Sequence, residues 1–190
     1  MNILFLDIET TGLDSKIHKI IQISAKLDVD GVTVSSFNEQ ASVQISATEF
    51  SGMNLILPII SFGALKVNRR TPSSLITGKK LGDILVEFAD YLIGINKEFI
   101  TCGHNIHFDV DFLNQAFIRI GFTDFESLIG HRFLDTAAIG LYLKEKGMLP
   151  LDKINIENLT EYFGLDKNKL HDSSIDVDIT ADIYYSMLEL

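Results

Sequence analysis

The sequence contains a single cysteine, Cys102, so no disulfide bond can form within the chain. It also lacks the run of about 18 apolar residues that a membrane helix needs, because the longest candidate, residues 55–60, is interrupted by Pro58. The first residues show neither the basic start nor the cleavage site of a signal peptide. Together these absences predict an intracellular, cytoplasmic protein in a reducing compartment, without a membrane partner.

Basic residues are scarce as well, since 16 lysines and arginines stand against 26 aspartates and glutamates and the formal net charge is −10. Such a balance excludes a protein that coats duplex DNA non-specifically, but not an enzyme that contacts few phosphates and binds metal cations. Residues 66–80 differ, because they include no acidic residue and five basic ones: Lys66, Arg69, Arg70, Lys79 and Lys80. This basic segment is either a solvated loop or a contact for the phosphates of a nucleic-acid strand.

The chain nevertheless has the composition of an ordinary globular domain. Its 190 residues are 46% hydrophobic and 22% charged, and they contain no internal repeat or linker. A chain of this length can bury about 70% of its unfolded surface. We therefore expect a single domain that spans residues 1–190.

Hydrophobic periodicity predicts an α/β fold in which a mixed sheet is flanked by helices. Strands are expected at residues 2–8, 20–29, 32–45 and 99–102, and a turn at Asp30-Gly31 makes the first three an antiparallel meander. Helices are expected at residues 81–95, 108–120, 156–163 and 173–190. The remaining stretches are a loop with at most one short helix at residues 46–70, and a short apolar piece that leads to Asp135 and Thr136.

The stretch from Ile3 to Leu13, ILFLDIETTGL, is the part on which the functional prediction depends. The unbroken apolar run before Asp7 predicts a strand that is covered on both faces, and therefore a central strand. Asp7 and Glu9 are two residues apart, so their carboxylates point to the same side of a strand. Like charges this close repel each other unless a cation lies between them, and Mg²⁺ or Mn²⁺ prefers such oxygen ligands. The alternative is a strand end that opens into solvent.

Two further aspartates lie where a carboxylate is costly. Asp109 and Asp176 are each near the start of a predicted helix and beside its buried face, whereas Asp111 points to the surface. Local roles are open, because a helix N-terminus stabilises a carboxylate and Asp176 follows Ser173 at the spacing of a capping box. His171 precedes the last helix, so its side chain can lean over the helix N-terminus.

At these residues the sequence resembles the DEDDh-type 3′–5′ exonucleases, whose RNase H-like fold is used by proofreading subunits of DNA polymerases. Three motifs carry the resemblance: FLDIETTGLD at residues 5–14, GHNIHFDVDFL at 103–113 and HDSSID at 171–176. Two features depart from the family pattern. Gln22 stands where an acidic residue is common, and Ser173, Ser174 and Val177 stand where small alanines usually surround the last aspartate.

The resemblance implies a metal-dependent 3′–5′ exonuclease that acts on single-stranded nucleic acid, DNA rather than RNA, and releases nucleoside monophosphates. Two Mg²⁺ or Mn²⁺ ions would be held by Asp7, which bridges them, with Glu9 and Asp176 at one ion and Asp109 at the other. His171 would be the general base, because imidazole titrates near neutral pH. The substrate would be held by Thr10, Thr11, Gly12, Leu13, His104, Asn105 and Phe108.

Three alternatives remain at this stage. An exonuclease of the same family could trim RNA, since nothing in these residues distinguishes a 2′-hydroxyl. A second possibility is a non-catalytic module that binds a DNA polymerase or another partner. The third is a transition-metal site for a different hydrolase, formed by His104, His107 and Asp109, which show a loose ligand spacing.

Overall fold

A computed structural model describes residues 1–43, 61–67 and 75–190 of the chain. The strands are β1 (Asn2–Thr10), β2 (Ile20–Val29), β3 (Val32–Ser42), β4 (Lys79–Lys80), β5 (Ile100–Gly103) and β6 (Phe133–Asp135). The α-helices are α1 (Phe62–Val67), α2 (Leu81–Gly94), α3 (Ile106–Arg119), α4 (Phe125–Ile129), α5 (Thr136–Glu145), α6 (Ile156–Tyr162) and α7 (Ser173–Leu188), and a 3₁₀ turn covers Lys167–Lys169. None of the helices in these described ranges is long and apolar enough to cross a membrane.

The described strands form one mixed sheet in the order β4-β3-β2-β1-β5-β6. β1 pairs antiparallel with β2 and parallel with β5, and β2 pairs antiparallel with β3. The predicted meander and the central position of the first strand are therefore confirmed. The turn at Asp30 and Gly31 is confirmed too, because both residues have left-handed φ angles, 51° and 81°, as a two-residue hairpin of this type requires.

Helices cover the sheet on both faces. On one face α2, α3 and α4 pack against the row of β1 side chains that contains Leu4, Leu6 and Ile8. On the other face α7 packs against β1 and β2, and Ile3 and Phe5 contact its apolar residues. Because side chains alternate along a strand, Asp7 and Glu9 continue the row of β1 that faces α7. The layering thus decides which helix meets the two carboxylates.

The predicted helices at residues 81–95, 156–163 and 173–190 are confirmed within about two residues at each end. α3 begins at Ile106, two residues before the predicted start. The chain leaves β5 at Gly103 and reverses direction in two residues, because Asn105 adopts a left-handed conformation with φ of 61°. This tight reversal brings Asp109 into the first turn of α3.

Other sequence predictions were wrong or incomplete. β3 was predicted to reach Ile45 but ends at Ser42, and residues 44–60 lie outside the described ranges. Helix α1, in contrast, agrees with the one short helix that was predicted as possible within residues 46–70. Helices α4 and α5 were not predicted at all. In α5 the buried positions are Thr136, Gly140 and Leu143, so its buried face lacks an apolar pattern.

Candidate active site

β1 carries the first two acidic side chains of the site at its C-terminal end. Glu9 is buried and Asp7 is half-buried, and both pair with β2, just beyond the part of β1 that also pairs with β5. A strand that stays hydrogen-bonded to a neighbour up to its end has little freedom to move. Asp7 and Glu9 are therefore rigidly placed on the sheet face that α7 covers.

α7 brings the third carboxylate to the same place. One carboxylate oxygen from each of Asp7, Glu9 and Asp176 lies within 4.8 Å of the others. Within residues 1–43, 61–67 and 75–190, this is the only group of three or more aspartate, glutamate, histidine or cysteine side chains that could hold a metal ion. The donor set consists of hard oxygen atoms, so it fits Mg²⁺ or Mn²⁺.

Asp109 adjoins this carboxylate cluster from the first turn of α3. Its side chain is buried at the start of α3, and its Oδ1 accepts a hydrogen bond from the backbone N–H of Ile8 at 3.0 Å. Ile8 lies between Asp7 and Glu9, so this bond fastens Asp109 to the strand that carries the other carboxylates. The sequence predicted Asp109 as a site residue because an unpaired carboxylate is costly in a buried position. The hydrogen bond from Ile8 compensates part of that cost.

Burial and mutual repulsion raise the pKa values of these carboxyls. For Asp7 the pKa lies well above its usual value, mainly because of desolvation and then because of the charges of Asp109, Asp176 and Glu9. Desolvation also raises the pKa of Asp109, against the hydrogen bond from Ile8. Desolvation raises the pKa of Asp176 to about 7. The cluster therefore retains protons that a bound cation would displace.

His171 lies directly before α7 in a left-handed conformation with φ of 77°. Its backbone N–H donates to both carboxylate oxygens of Asp176, at 3.2 and 3.0 Å. The capping box of Ser173 and Asp176 is not formed. Instead, Asp172 caps α7 by accepting from the N–H of Ser174, and the Ser173 hydroxyl bonds the Ser24 hydroxyl at 2.7 Å. Asp176 thus belongs to the cluster and fixes the backbone of His171.

The turn after β1 is closed by its own hydrogen bonds. The Thr10 hydroxyl donates to the carbonyl of Gly12 at 2.7 Å. Thr11 is buried, and its N–H donates to the carbonyl of Lys19 at 2.9 Å while its hydroxyl accepts from the N–H of Lys19 at 2.9 Å. The turn is therefore a preformed structure beside the carboxylates.

Two residues of this turn have unusual surroundings. Gly12 lies so close to His18 that an added Cβ would be 2.2 Å from the imidazole ring. Leu13, in contrast, is 84% exposed. A large apolar side chain that is presented to solvent next to a rigid turn can pack against a bound base.

The second group of predicted substrate contacts lies at the start of α3. The Nδ1 atom of His104 is 2.9 Å from the hydroxyl of Thr136, and burial lowers the pKa of His104. The N–H of Asn105 donates to Asp135 at 2.9 Å. Phe108 is half-buried, and its ring packs against Phe112 with the centroids 4.8 Å apart.

The transition-metal site proposed for His104, His107 and Asp109 is wrong. His107 is exposed, and its ring packs edge-on against Phe133. The three side chains, all within the described ranges, do not come together as a set of metal ligands there. The reason is that the loose spacing in the sequence spreads them over a turn and two faces of a helix.

The basic segment is described only in part, because Arg69 and Arg70 lie outside the described residues. Lys66 and Lys80 are exposed. The Nζ atom of Lys79 forms ion pairs with Glu39 at 2.9 Å and Glu87 at 2.7 Å. Its charge is therefore balanced locally, and the phosphate contact stays a prediction for the other basic residues.

Sequence reasoning missed the role of Asp135. Its Oδ1 accepts from the N–H groups of Ala137 and Asn105, each at 2.9 Å, so one carboxylate caps α5 and fixes the turn before α3. Residues 133–138, FLDTAA, contain a signal for this role, because an aspartate directly before a helix is a common N-terminal cap. Asp111 was predicted at the surface and is exposed, where it accepts a hydrogen bond from the Ser15 hydroxyl.

Comparisons with known proteins identify the family of the chain. The family model RNase_T, described as an exonuclease, matches residues 4–184. DNA polymerase III PolC-type from Thermotoga petrophila is 26% identical over 187 residues, which are 97% of this chain but 12% of the relative. DNA polymerase III subunit epsilon from Aquifex aeolicus is 24% identical over 186 residues, which are 97% of this chain and 79% of that protein.

Solved structures show the same fold. The zinc-bound E. coli ExoI–ssDNA complex aligns with a TM-score of 0.77 and 17% identity, over 98% of this chain and 40% of that chain. Cell-death related nuclease 4 (CRN-4) aligns with a TM-score of 0.75 and 16% identity, over 99% of this chain and 64% of that chain. The predicted RNase H-like fold and the resemblance to exonucleases are thereby confirmed. Because the family model matches almost the whole length, this chain belongs to the RNase_T exonuclease family.

Proposed function

We propose that the chain is a metal-dependent 3′–5′ exonuclease that removes nucleoside monophosphates from the 3′ end of single-stranded DNA. The observation that carries the proposal is the convergence of Asp7, Glu9 and Asp176 within 4.8 Å, with His171 bonded to Asp176. These residues come from the two ends of the chain, and an assembly of like charges is costly without a function.

The proposed metal ligands follow from this geometry. Asp7, Glu9 and Asp176 would hold one divalent ion, Mg²⁺ or Mn²⁺, and Asp109 together with Asp7 would hold a second. When bound, such ions lower the pKa of the attacking water and stabilise the leaving oxygen. Asp109 contributes a further function, because its bond to Ile8 keeps the end of β1 in place.

His171 is the proposed general base. Its backbone is fixed by Asp176, and its side chain is half-buried at the N-terminal end of α7. A ring nitrogen of His171 would accept the proton of the attacking water and later release it to solvent. Nothing else in the carboxylate cluster suits this step as well, because the cluster oxygens are needed to hold cations.

The terminal nucleotide would lie between two walls. Thr10, Thr11, Gly12 and Leu13 form the first wall, with backbone groups for the sugar and phosphate and the exposed Leu13 for the base. His104, Asn105 and Phe108 form the second wall at the start of α3. The left-handed Asn105 supports this role, because it turns the backbone sharply next to the site.

DNA is the preferred substrate for two reasons. The relatives are DNA polymerase III proteins, and ExoI, which shares the fold, is seen in complexes with single-stranded DNA. The same relatives support a DNA polymerase as a partner. We further propose that residues 1–190 form one exonuclease domain in the cytoplasm, and the buried thiol of Cys102 is compatible with a reducing compartment.

The test uses matched DNA and RNA oligonucleotides that carry a label at the 5′ end. The wild-type protein with Mg²⁺ or Mn²⁺ should shorten single-stranded DNA stepwise from the 3′ end and act more slowly on RNA. Asp7→Ala should abolish product release, and His171→Ala should slow it by about 10²–10⁴-fold. Asp178→Asn, which changes an exposed carboxylate two residues after Asp176, is the matched control and should keep wild-type activity.

The outcomes separate the alternatives. Faster degradation of RNA would make the chain an RNA-trimming enzyme of the same family. Shortening from the 5′ end would contradict the proposed direction. A pure protein without nuclease activity in either metal would favour a non-catalytic module that binds a polymerase.

A further inference from the structure

The face of β2 that α7 covers is polar, although the neighbouring row of β1 is apolar until it reaches Asp7. Its four polar side chains each bond a residue in or next to α7: Gln22 to Asp172 at 3.0 Å, Ser24 to Ser173 at 2.7 Å, Lys26 to Asp178 at 2.9 Å and Asp28 to Tyr185 at 3.2 Å. Three of the four are buried. Hydrogen bonds are directional whereas apolar contacts are not, so the three buried contacts of this polar seam fix the rotation and register of α7.

The first contact of the seam reaches the residue next to the proposed base. The Nε2 atom of Gln22 donates to Oδ1 of Asp172 and also to Oδ1 of Asn38, on the neighbouring strand, at 3.1 Å. Asp172 Oδ1 in turn accepts from the N–H of Ser174 at 3.1 Å. Asp172 is thus tied to the sheet and to the start of α7 at once.

His171 lies between two residues that are held in this way. Asp172 is held by Gln22, and Asp176 accepts from the backbone N–H of His171. The φ angle of His171, 77°, is one that residues other than glycine rarely adopt. Such a conformation persists only where the surroundings enforce it. The two anchors are therefore what keeps His171 in this geometry.

We propose that Gln22 is a positioning residue for His171. Its amide holds Asp172, and through Asp172 it keeps the imidazole where it can accept the proton of the attacking water. This role rests on the proposed function. An amide suits the position because Gln22 pairs with Glu9 across the strands, where it donates a hydrogen bond to Asp172 without adding a charge to the carboxylate cluster.

A double-mutant cycle tests the proposal. Gln22→Met keeps the volume of the side chain and removes the donor, and Asp172→Ala removes the acceptor at a less buried position. Each should lower kcat on single-stranded DNA about 10-fold and leave KM within about 2-fold, because substrate binding is intact and only the base is misplaced. In a His171→Ala background the same changes should alter kcat by less than about 2-fold.

Asp172→Asn separates positioning from charge. Asparagine still accepts from Gln22 and caps α7, so this variant should keep kcat within about 2-fold of the wild type. If Asp172 acted through its charge on the neighbouring carboxylates, Asp172→Asn would lose as much activity as Asp172→Ala. Lys26→Gln, which removes the seam's contact to the exposed Asp178 and leaves Asp172 untouched, is the control and should keep wild-type kcat.

A second measurement does not need activity. Amide hydrogen exchange of residues 167–176 should be faster in Gln22→Met than in the wild type, and unchanged in Lys26→Gln. Equal losses of kcat with and without His171, or unchanged exchange in Gln22→Met, would overturn the positioning role alone. An inactive wild-type protein would instead overturn the proposed function, and with it the positioning role of Gln22 in catalysis.

Discussion

Replacing Asp176 by asparagine should make the metal-free protein more stable at alkaline pH. Burial raises the pKa of Asp176 from an ordinary value of 3.8 to about 7, and the charges of Asp172 and Glu157 act in the same direction. The hydrogen bond from the His171 N–H opposes this rise. Asparagine keeps the shape and an oxygen that can accept this bond, but it cannot ionise.

The direction in which stability changes with pH follows from the number of protons bound to the folded and unfolded states. Between about pH 4 and pH 7 the folded protein keeps a proton on Asp176 that the unfolded chain has released, so the stability of the folded state falls as the pH rises. A rise from 3.8 to about 7, at about 1.4 kcal/mol for each pH unit, corresponds to roughly 4 kcal/mol. Asp176→Asn should therefore match the wild type below pH 4 and gain up to about 4 kcal/mol above pH 7.

Bound Mg²⁺ should reverse the order of stability of the wild-type protein and Asp176→Asn. A divalent cation prefers the ionised carboxylates, so Mg²⁺ should stabilise the wild-type protein most at alkaline pH. The asparagine at position 176 in the variant offers a neutral oxygen only, so the same Mg²⁺ concentration should stabilise it much less.

Denaturant unfolding between pH 4 and pH 9, in a chelator and in Mg²⁺, measures both effects. Asp178→Asn is the matched control on the same helix, because the carboxylate of Asp178 is 64% exposed and exposed pairs contribute little. Its stability relative to the wild type should not change over this pH range. If Asp176→Asn were less stable than the wild type at every pH, the repulsion and desolvation stored at Asp176 would be smaller than the loss of a carboxylate oxygen that holds His171, and the reasoning would be refuted.

Two other changes test the surroundings of the site. Gly12→Ala would bring a Cβ to 2.2 Å from the His18 ring, so the turn must rearrange. We expect a free energy of unfolding lower by about 1–2 kcal/mol and a KM for single-stranded DNA about 10-fold higher. An unchanged KM would contradict a substrate role for this turn. Lys79→Met should leave oligonucleotide binding unchanged, because two glutamates already balance the charge of Lys79. Lys80→Met should lower the slope of log affinity against log salt concentration by about 0.7. Equal effects of the two changes in titrations at several salt concentrations would contradict a phosphate contact at Lys80.

The parts of the site that the sequence predicted are those that local spacing determines. Asp7 and Glu9 could be placed on one face of a strand because side chains alternate, and the apolar run before them indicated a central strand. Asp109 could be placed at a buried helix start because its neighbours follow helical spacing. In each case the information lies within about ten residues of sequence.

Helix α5 was missed for a physical reason. Its buried residues include Gly140, where an added Cβ would lie 2.7 Å from Ile154, so close packing replaces a large apolar side chain. A search for apolar periodicity cannot find such a face. The same holds for β2, whose polar residues are buried because they bond α7 and not because of any local pattern.

The hydrogen bond between Gln22 and Asp172 joins residues that are 150 positions apart in the chain. This separation has a consequence for folding during synthesis on the ribosome. β1, which carries Asp7 and Glu9, is synthesised well before α7, because the other described elements lie between them in the chain. A chain made only as far as α6 therefore holds Asp7, Glu9 and Asp109 but lacks both Asp176 and His171. The carboxylate cluster of Asp7, Glu9 and Asp176 is therefore completed only when α7 docks, so a nascent chain has no complete metal site until then.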